Sequence, residues 1–347
     1  MFKKDILIPI LLLQAEALEG RIPAIHPKMP EIKMKIRSLK SGYNGEKVIN
    51  YYLKQIPAHK YYIFHDLRLP YGETFFQIDA MLLSKKILLM LDGKNHSGTL
   101  YIDKNQMTQV YNGNKEIYEN PITQANRHII LLNYFLSQYQ TLNIPMDSFV
   151  VITKSATEVV ISPGYREAEQ KICRAGDLLR VIQFAEKNFK RDVLNVDYLT
   201  ELLLKNHTPK ETDILKMFGI NKNEVQTGVQ CPRCLFMPMT FNRMNWICPI
   251  CQFVSKDAFL RAIDDYFLII SSTITNRELC SFLHLPSPRA ATYIFSLLNL
   301  PFSGMKNHRI YYQPQLPLNT NHHFPPTTNN IKNNFGGNLD ETIIVRT

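Results

Sequence analysis

A chain of 347 residues that is 45% apolar and 20% charged can fold two or three domains, and that balance excludes wholesale disorder. A formal charge of +10 favours polyanionic partners, nucleic acid or an anionic membrane surface. The excess is uneven: residues 1–40 hold eight Lys/Arg against four Asp/Glu, residues 222–256 four against one, and residues 156–221 balance at ten each.

The chain opens with an apolar run, Ile6 to Leu13, interrupted by Pro9. The run is too short to span a bilayer and lacks a clear cleavage site, so the expected location is the cytoplasm. Residues 1–40 read as an amphipathic helical leader with a proline-rich break from Pro23 to Pro30. A helix is expected from about Asn44, with Val48, Ile49, Tyr52, Leu53 and Ile56 on its apolar face, ending at Pro57. Strands follow over 61–69, 74–83 and 86–95, the last nearly all apolar and therefore central in a sheet. Two more are expected over 98–102 and 107–118, the second turning at Asn112-Gly113. Asn120-Pro121 supplies an N-cap and first helical position for a helix to about Tyr139, and short strands at 148–153 and 159–161 come next. Residues 175–204 read as helical, and a polar linker runs to about Gln230. A cysteine cluster occupies 231–251, and residues 257–312 hold three helical runs and a short strand. From about Gln313 the chain is rich in Asn, Pro and Thr and is expected to be disordered.

Asp79 and Asp92 each interrupt an apolar strand, where an ionised carboxylate is costly unless it is paired or bound to metal. Alternation puts Asp92 and Lys94 on one face, and Gln77 with Asp79 on one face of the preceding strand. If the strands are neighbours, Asp79, Asp92 and Lys94 meet. Two carboxylates suit Mg²⁺ or Mn²⁺ bridging to a phosphate, and a lysine beside them can orient the attacking water. Glu46 precedes Ile49, Leu53 and Ile56 by three, seven and ten residues, so it projects from the core-facing side of its helix. Gln124 lies in the first turn after Pro121 and can donate to a phosphate or hold a water. His96 reads as a solvated histidine at a strand end.

Four spaced motifs occur in order: Gly42-Tyr43-Asn44-Gly45-Glu46, Gln77-Ile78-Asp79, Asp92-Gly93-Lys94-Asn95 with Gly98, and Asn120-Pro121-Ile122-Thr123-Gln124. Over residues 40–155 they resemble the nuclease-related domain family of the PD-(D/E)XK nuclease superfamily. The resemblance implies a mixed central sheet flanked by helices, an α/β fold, and an active-site set of Glu46, Asp79, Asp92, Lys94 and Gln124. The third motif departs from the family's usual Glu-x-Lys: Asp92 is one methylene shorter, and Gly93 weakens a strand.

Cys231-Pro-Arg-Cys234 and Cys248-Pro-Ile-Cys251, thirteen residues apart, have zinc-ribbon spacing. Four thiolates form a closed tetrahedral site for structural Zn²⁺, with a redox pair or an iron–sulfur cluster as alternatives. Arg233 and Arg243, with Phe236, Phe241 and Trp246, are candidates for a basic, aromatic nucleic-acid surface. Thr275-Asn276-Arg277-Glu278 is a capping box, and the helices after it resemble a winged-helix or helix-turn-helix module. Its recognition helix would begin at Arg289 and present Thr292, Tyr293, Ser296 and Asn299, with Lys306 and Arg309 in a basic strand.

The expected units are a helical leader (1–40), the nuclease-related domain (41–155), a helical extension and linker (156–225), the four-cysteine zinc ribbon (226–256), the winged-helix-like module (257–312) and a tail (313–347). The expected function is a metal-dependent nuclease of bacterial type acting on nucleic acid, DNA first, in processing or repair. The alternative is a catalytically impaired nucleic-acid-binding or regulatory protein. A membrane-associated protein using its basic leader is a third reading.

Overall fold

The computed structural model describes residues 1–141, 144–189, 191–305 and 308–314. Lys306 and almost all of the tail from Gln313 lie outside them. The central feature is a six-stranded mixed sheet built from β1 (Phe2–Lys4), β2 (Tyr62–Tyr71), β3 (Thr74–Leu83), β4 (Leu88–Lys94), β8 (Met146–Ile152) and β10 (Ile172–Arg174), in that order across the sheet. β2, β3 and β4 form an antiparallel meander, and β4 then pairs parallel with β8. The apolar β4 is central, as its composition requires. Leu88 and Met90 face helices α3 (Pro121–Ser137) and α6 (Val196–Asn206). Leu89 and Leu91 face α2 (Met29–Leu53) and α5 (Leu178–Lys187). A second sheet of β5 (Thr99–Ile102), β6 (Gln106–Tyr111), β7 (Asn114–Glu119) and β9 (Glu158–Ile161) packs its apolar side against α3 and β8. The β6–β7 turn is at Asn112-Gly113, both left-handed, as the dipeptide predicts.

Three expectations change. The first concerns the leader, which opens as a strand: β1 pairs parallel with β2 before α1 (Ile10–Arg21) begins. The second concerns α2, which starts at Met29 rather than near Asn44. Pro30 occupies its first turn, where a missing N–H is no loss, and Ile32 and Ile36 extend the buried stripe. The third concerns the polar linker, which contains a short helix, α7 (Ile214–Phe218). Ile214, Leu215, Phe218, Ile220 and Val225 join Leu12, Leu18, Ile32 and Ile36 in one core. Leu12, Leu18, Ile32 and Ile36 of the leader are thereby covered by protein, while Leu7, Ile25 and Met34 stay exposed. No helix among the described residues is long and apolar enough to cross a membrane. The helical run expected over 175–204 is two helices, α5 and α6. Between them the Val193 and Leu194 N–H groups donate to Lys85 O, holding the crossing segment to the sheet.

The C-terminal part joins a three-stranded ribbon to a helical module. The ribbon is β11 (Thr240–Asn242), β12 (Asn245–Ile247) and β13 (Val254–Ser255). The module runs α8 (Phe259–Ile269), β14 (Thr273–Thr275), α9 (Asn276–Phe282), α10 (Pro288–Leu298), β15 (Phe302–Ser303) and β16 (Ile310–Tyr312). Its strands pair in the order β14-β16-β15, the winged-helix-like arrangement. Thr275 and Glu278 close the expected capping box of α9. One core contains Trp246, Met239 and two of the ribbon cysteines together with Phe259, Ile263, Phe282 and Phe295, so ribbon and module are packed as one body. α1 connects this body to the sheet domain. The Arg21 side chain, 1% exposed, donates from Nε to Asp265 Oδ2 at 2.7 Å and to the carbonyls of Gln226 and Gly228.

Candidate active site and metal centre

The site forms where the meander frays. β3–β4 pairing runs from Leu83↔Leu88 to Ala80↔Leu91, so the next position sets Asp79 opposite Asp92. Asp92 and Lys94 continue the α3-facing side of β4. Lys94 Nζ lies 2.8 Å from Asp92 Oδ2 and donates to Asp92 Oδ1 at 3.1 Å and to Gln124 Oε1 at 2.8 Å. Gln124 is placed there by its helix start: the Asn120 side chain accepts from the N–H groups of Ile122 and Thr123, and Pro121 fills the first position. Asp79 accepts from the Gly93 N–H at 3.2 Å. Four of the five expected residues therefore form one connected cluster.

Burial and then the opposed Asp92 push the Asp79 carboxyl well above its usual range, with Glu46 adding to the effect and Lys94 opposing it. Asp92 Oδ2 is buried, and the nearby ammonium approaches it as an ion pair without hydrogen-bond alignment, the aligned bond going to Oδ1. An acceptor with an unused lone pair, facing a second carboxylate that resists ionising, suits a divalent cation. Glu46 is the outlier. Its nearest charged company is Asp66 and Lys4 on β2 and β1, and burial with the Asp66 charge raises it to about 7. It acts on Asp79 through space rather than by contact.

Asp66 escaped sequence reasoning. β2 pairs His65↔Ala80 and Leu67↔Ile78, leaving Asp66 opposite Asp79 at an unpaired position, and Asp66 is left-handed at φ 52°. Side-chain alternation slips by one residue there. Phe76 and Ile78 before the break, and Met81 and Leu83 after it, all pack on the same face. The simple alternation that would put Gln77 and Asp79 on one face therefore fails. Gln77 instead donates to Asp66 Oδ1 at 2.6 Å, and Lys4 pairs with Asp66 at 3.6 Å. The signal was present, since Asp66 interrupts an apolar run just as Asp79 does. His128, one turn after Gln124, also went unassigned; with Ser148 it lines a small cavity between Asp79 and Asp92.

Gly45 and Gly93 of the motifs are contact points. A Cβ at Gly45 would lie 2.9 Å from Asn95 Cβ and 3.1 Å from Thr153 Oγ1, and one at Gly93 would lie 3.0 Å from Ile49. They let α2 close onto the ends of β4 and β8. Asn95 fastens that contact, its amide donating to Ser41 O at 2.7 Å while Thr153 donates to its Oδ1. His96 is not a freely solvated histidine. Its ring bonds Gln109 Oε1 at 2.9 Å and meets the Tyr118 ring edge-on, and burial lowers its pKa.

In the ribbon, the sulfurs of Cys231, Cys234, Cys248 and Cys251 all lie within 4.8 Å of one another. Two matching turns make this cluster. The Cys231 N–H donates to Phe236 O and the Cys248 N–H to Phe253 O, and the residue after each second cysteine, Leu235 and Gln252, is left-handed. Four thiols at this separation can hold one tetrahedral metal ion. Arg233, Arg243, Arg289 and Arg309 are exposed, and the Arg309 guanidinium covers the Phe302 ring at 4.5 Å.

Neither the curated proteins nor the solved structures contain a match to this chain. Residues 41–153 match the family model described as Nuclease-related domain. The match begins in α2 before Glu46 and ends just past β8, enclosing the whole carboxylate–lysine–glutamine cluster. That segment, about a third of the chain, is similar to the nuclease-related domain family.

Proposed function

We propose that the protein is a metal-dependent nuclease that hydrolyses phosphodiester bonds of nucleic acid, DNA first, in a cytoplasmic processing or repair role. The observation that carries this reading is the opposition of Asp79 and Asp92 with Lys94 bridging Asp92 to Gln124. Asp79 and Asp92 would hold Mg²⁺ or Mn²⁺, which supplies charge neutralisation at the phosphate and a more acidic water. Lys94 has its ammonium fixed by two acceptors, so it presents its remaining proton in a set direction toward a phosphate oxygen or attacking water. Gln124 accepts from Lys94 through Oε1 and keeps its amide N–H groups for the substrate. Glu46, with a pKa of about 7, is suited to exchange a proton near neutrality. Zn²⁺ on the four thiols would be structural, since no coordination position stays open. All six cysteines are unbridged, in keeping with a reducing compartment.

The test is cleavage of plasmid and of single- and double-stranded oligonucleotides with Mg²⁺ or Mn²⁺. Wild type should cut, while Lys94→Ala and Asp79→Ala should be slower by about 10²–10⁴-fold. Equal rates in all three would overturn the site. One observation favours a second reading, a protein that binds nucleic acid without cutting it: Asp92 is shorter than the family's glutamate. A silent wild type that becomes active on Asp92→Glu would decide for that reading.

A further inference from the structure

The ribbon and α10 enclose a cavity of about 350 Å³ remote from the carboxylate site. Arg243 and Met244 at the hairpin turn and Lys256 after β13 form one side, with Trp246 behind them. Tyr293 and Leu297, four residues apart on one face of α10, form the other. The hairpin reaches the cavity because Arg243 and Met244 are both left-handed, at φ 45° and 64°. No Asp or Glu lines it. Among the described residues, neither Arg243 nor Lys256 has an ion-pair partner, and no ring stacks on Tyr293, which is 44% exposed. Unpaired cations on one wall and a free aromatic face on the other fit a flat apolar body carrying an anionic tail. The volume is at the small end for ligand pockets. It suits one nucleotide, not a duplex.

We propose that this cavity holds an unpaired nucleotide of single-stranded nucleic acid, its base against Tyr293 and its phosphates toward Arg243 and Lys256. The inference rests on the reading of the chain as a nucleic-acid enzyme and specifies how substrate is engaged away from the cutting site. A recognition helix lying in a major groove needs its exposed face clear on both flanks. Here the ribbon hairpin stands beside Tyr293 and Leu297, so α10 acts as one wall of a pocket. Stacking on an aromatic ring tolerates any base, and flanking cations follow the backbone. Tyr293 is thus a stacking platform instead of a reader of base edges.

The experiment uses the full chain carrying Lys94→Ala, so that the probe stays intact. Fluorescence anisotropy is measured with a short labelled DNA strand, the RNA of the same sequence, the DNA duplex, and a strand of the same length without bases. Single strands should bind more tightly than duplex, with the DNA and RNA arms showing which sugar is preferred. Tyr293→Ala should weaken single-strand binding about 5- to 150-fold, and Tyr293→Phe should restore it. The baseless strand should bind weakly and ignore Tyr293→Ala. Joint replacement of Arg243 and Lys256 by Ala should flatten the salt dependence. An unchanged emission spectrum of free Trp246 shows that each variant is folded. The proposal is overturned if no strand binds, if Tyr293→Ala binds like its parent, or if duplex binds best and loses as much. Cleavage by wild type is read separately. A protein that cuts without using Tyr293 loses the pocket and keeps the nuclease reading, and one that binds through Tyr293 but never cuts does the reverse.

Discussion

The two candidate metal centres are built in opposite ways. The thiol cluster is local: four ligands within residues 231–251, brought together by two short turns of the same backbone pattern. The carboxylate site is non-local. Asp79, Asp92 and Gln124 come from two strands and a helix, and only the β3–β4 register and the packing of α3 on the sheet make them neighbours. A local site tolerates changes elsewhere and depends on its ligand, whereas a register-built site depends on every contact that holds helix to sheet. The two are connected by α1, whose Arg21 is buried against the C-terminal body.

The largest expected effect separates the two centres. Trp246 is the chain's single tryptophan and is 1% exposed in the core shared by ribbon and module, so its emission reports that body alone. Chelation or Cys248→Ser should shift this emission to the red and lower the thermal midpoint, because the metal supplies folding free energy. An unshifted spectrum would show that the shared apolar core suffices without metal. Next in size is the connection. Arg21→Met strands Asp265 as a buried unpaired charge and should cost about 3–5 kcal/mol in denaturant unfolding, most of it recovered by adding Asp265→Leu. No recovery in the double variant would mean that the carbonyl contacts of Arg21 matter more than its ion pair.

A smaller effect tests the register-built site. Gly45→Ala puts a methyl 2.9 Å from Asn95 Cβ and should cost about 1–3 kcal/mol and slow cleavage. Gly42→Ala, with nothing within 4 Å, should be neutral or stabilising by up to about 1 kcal/mol. Equal behaviour of the two would remove the close-approach argument. The smallest effect is a slope. Glu46 is raised from 4.5 to about 7, so the native protein keeps a proton that the unfolded chain has released across that window. The contribution is full below about 4.5 and lost as pH rises through about 7. Without divalent metal, wild type should therefore lose more stability than Glu46→Gln between pH 5 and pH 8, read as denaturant midpoints.

Much of this was legible before the fold. The charges interrupting apolar strands singled out Asp79, Asp92 and Lys94, and the N-cap at Asn120 put Gln124 in place. Asp66 was overlooked although it breaks its strand in the same way, because strict alternation was carried through a position where both strands slip together. The start of α2 was placed near Asn44, whereas the helix begins at Met29 and runs through Gly42 and Gly45, which cost about 1 kcal/mol each against Ala in a helix interior. Gly45 is a contact point at which the helix meets the sheet, whereas Gly42 faces open space. The buried residues of the polar linker were invisible for a similar reason: only packing against α1 and α2 gives Ile214 and Phe218 a core to enter.

By itself the sequence determined what depends on bonds between near neighbours. These are the β6–β7 turn, the capping box at Thr275, the helix start at Asn120, and the cysteine spacing that sets the ribbon. Tertiary structure alone decided what depends on burial and opposed charge: the Asp66 charge near Glu46, the raised Asp79 and Glu46, the Arg21–Asp265 pair, and the cavity between ribbon and α10. Backbone hydrogen bonds and dihedral preferences act within a few residues, so composition encodes them directly. Desolvation and charge repulsion act between whichever groups the fold brings together, and here those groups come from strands and helices far apart in the chain.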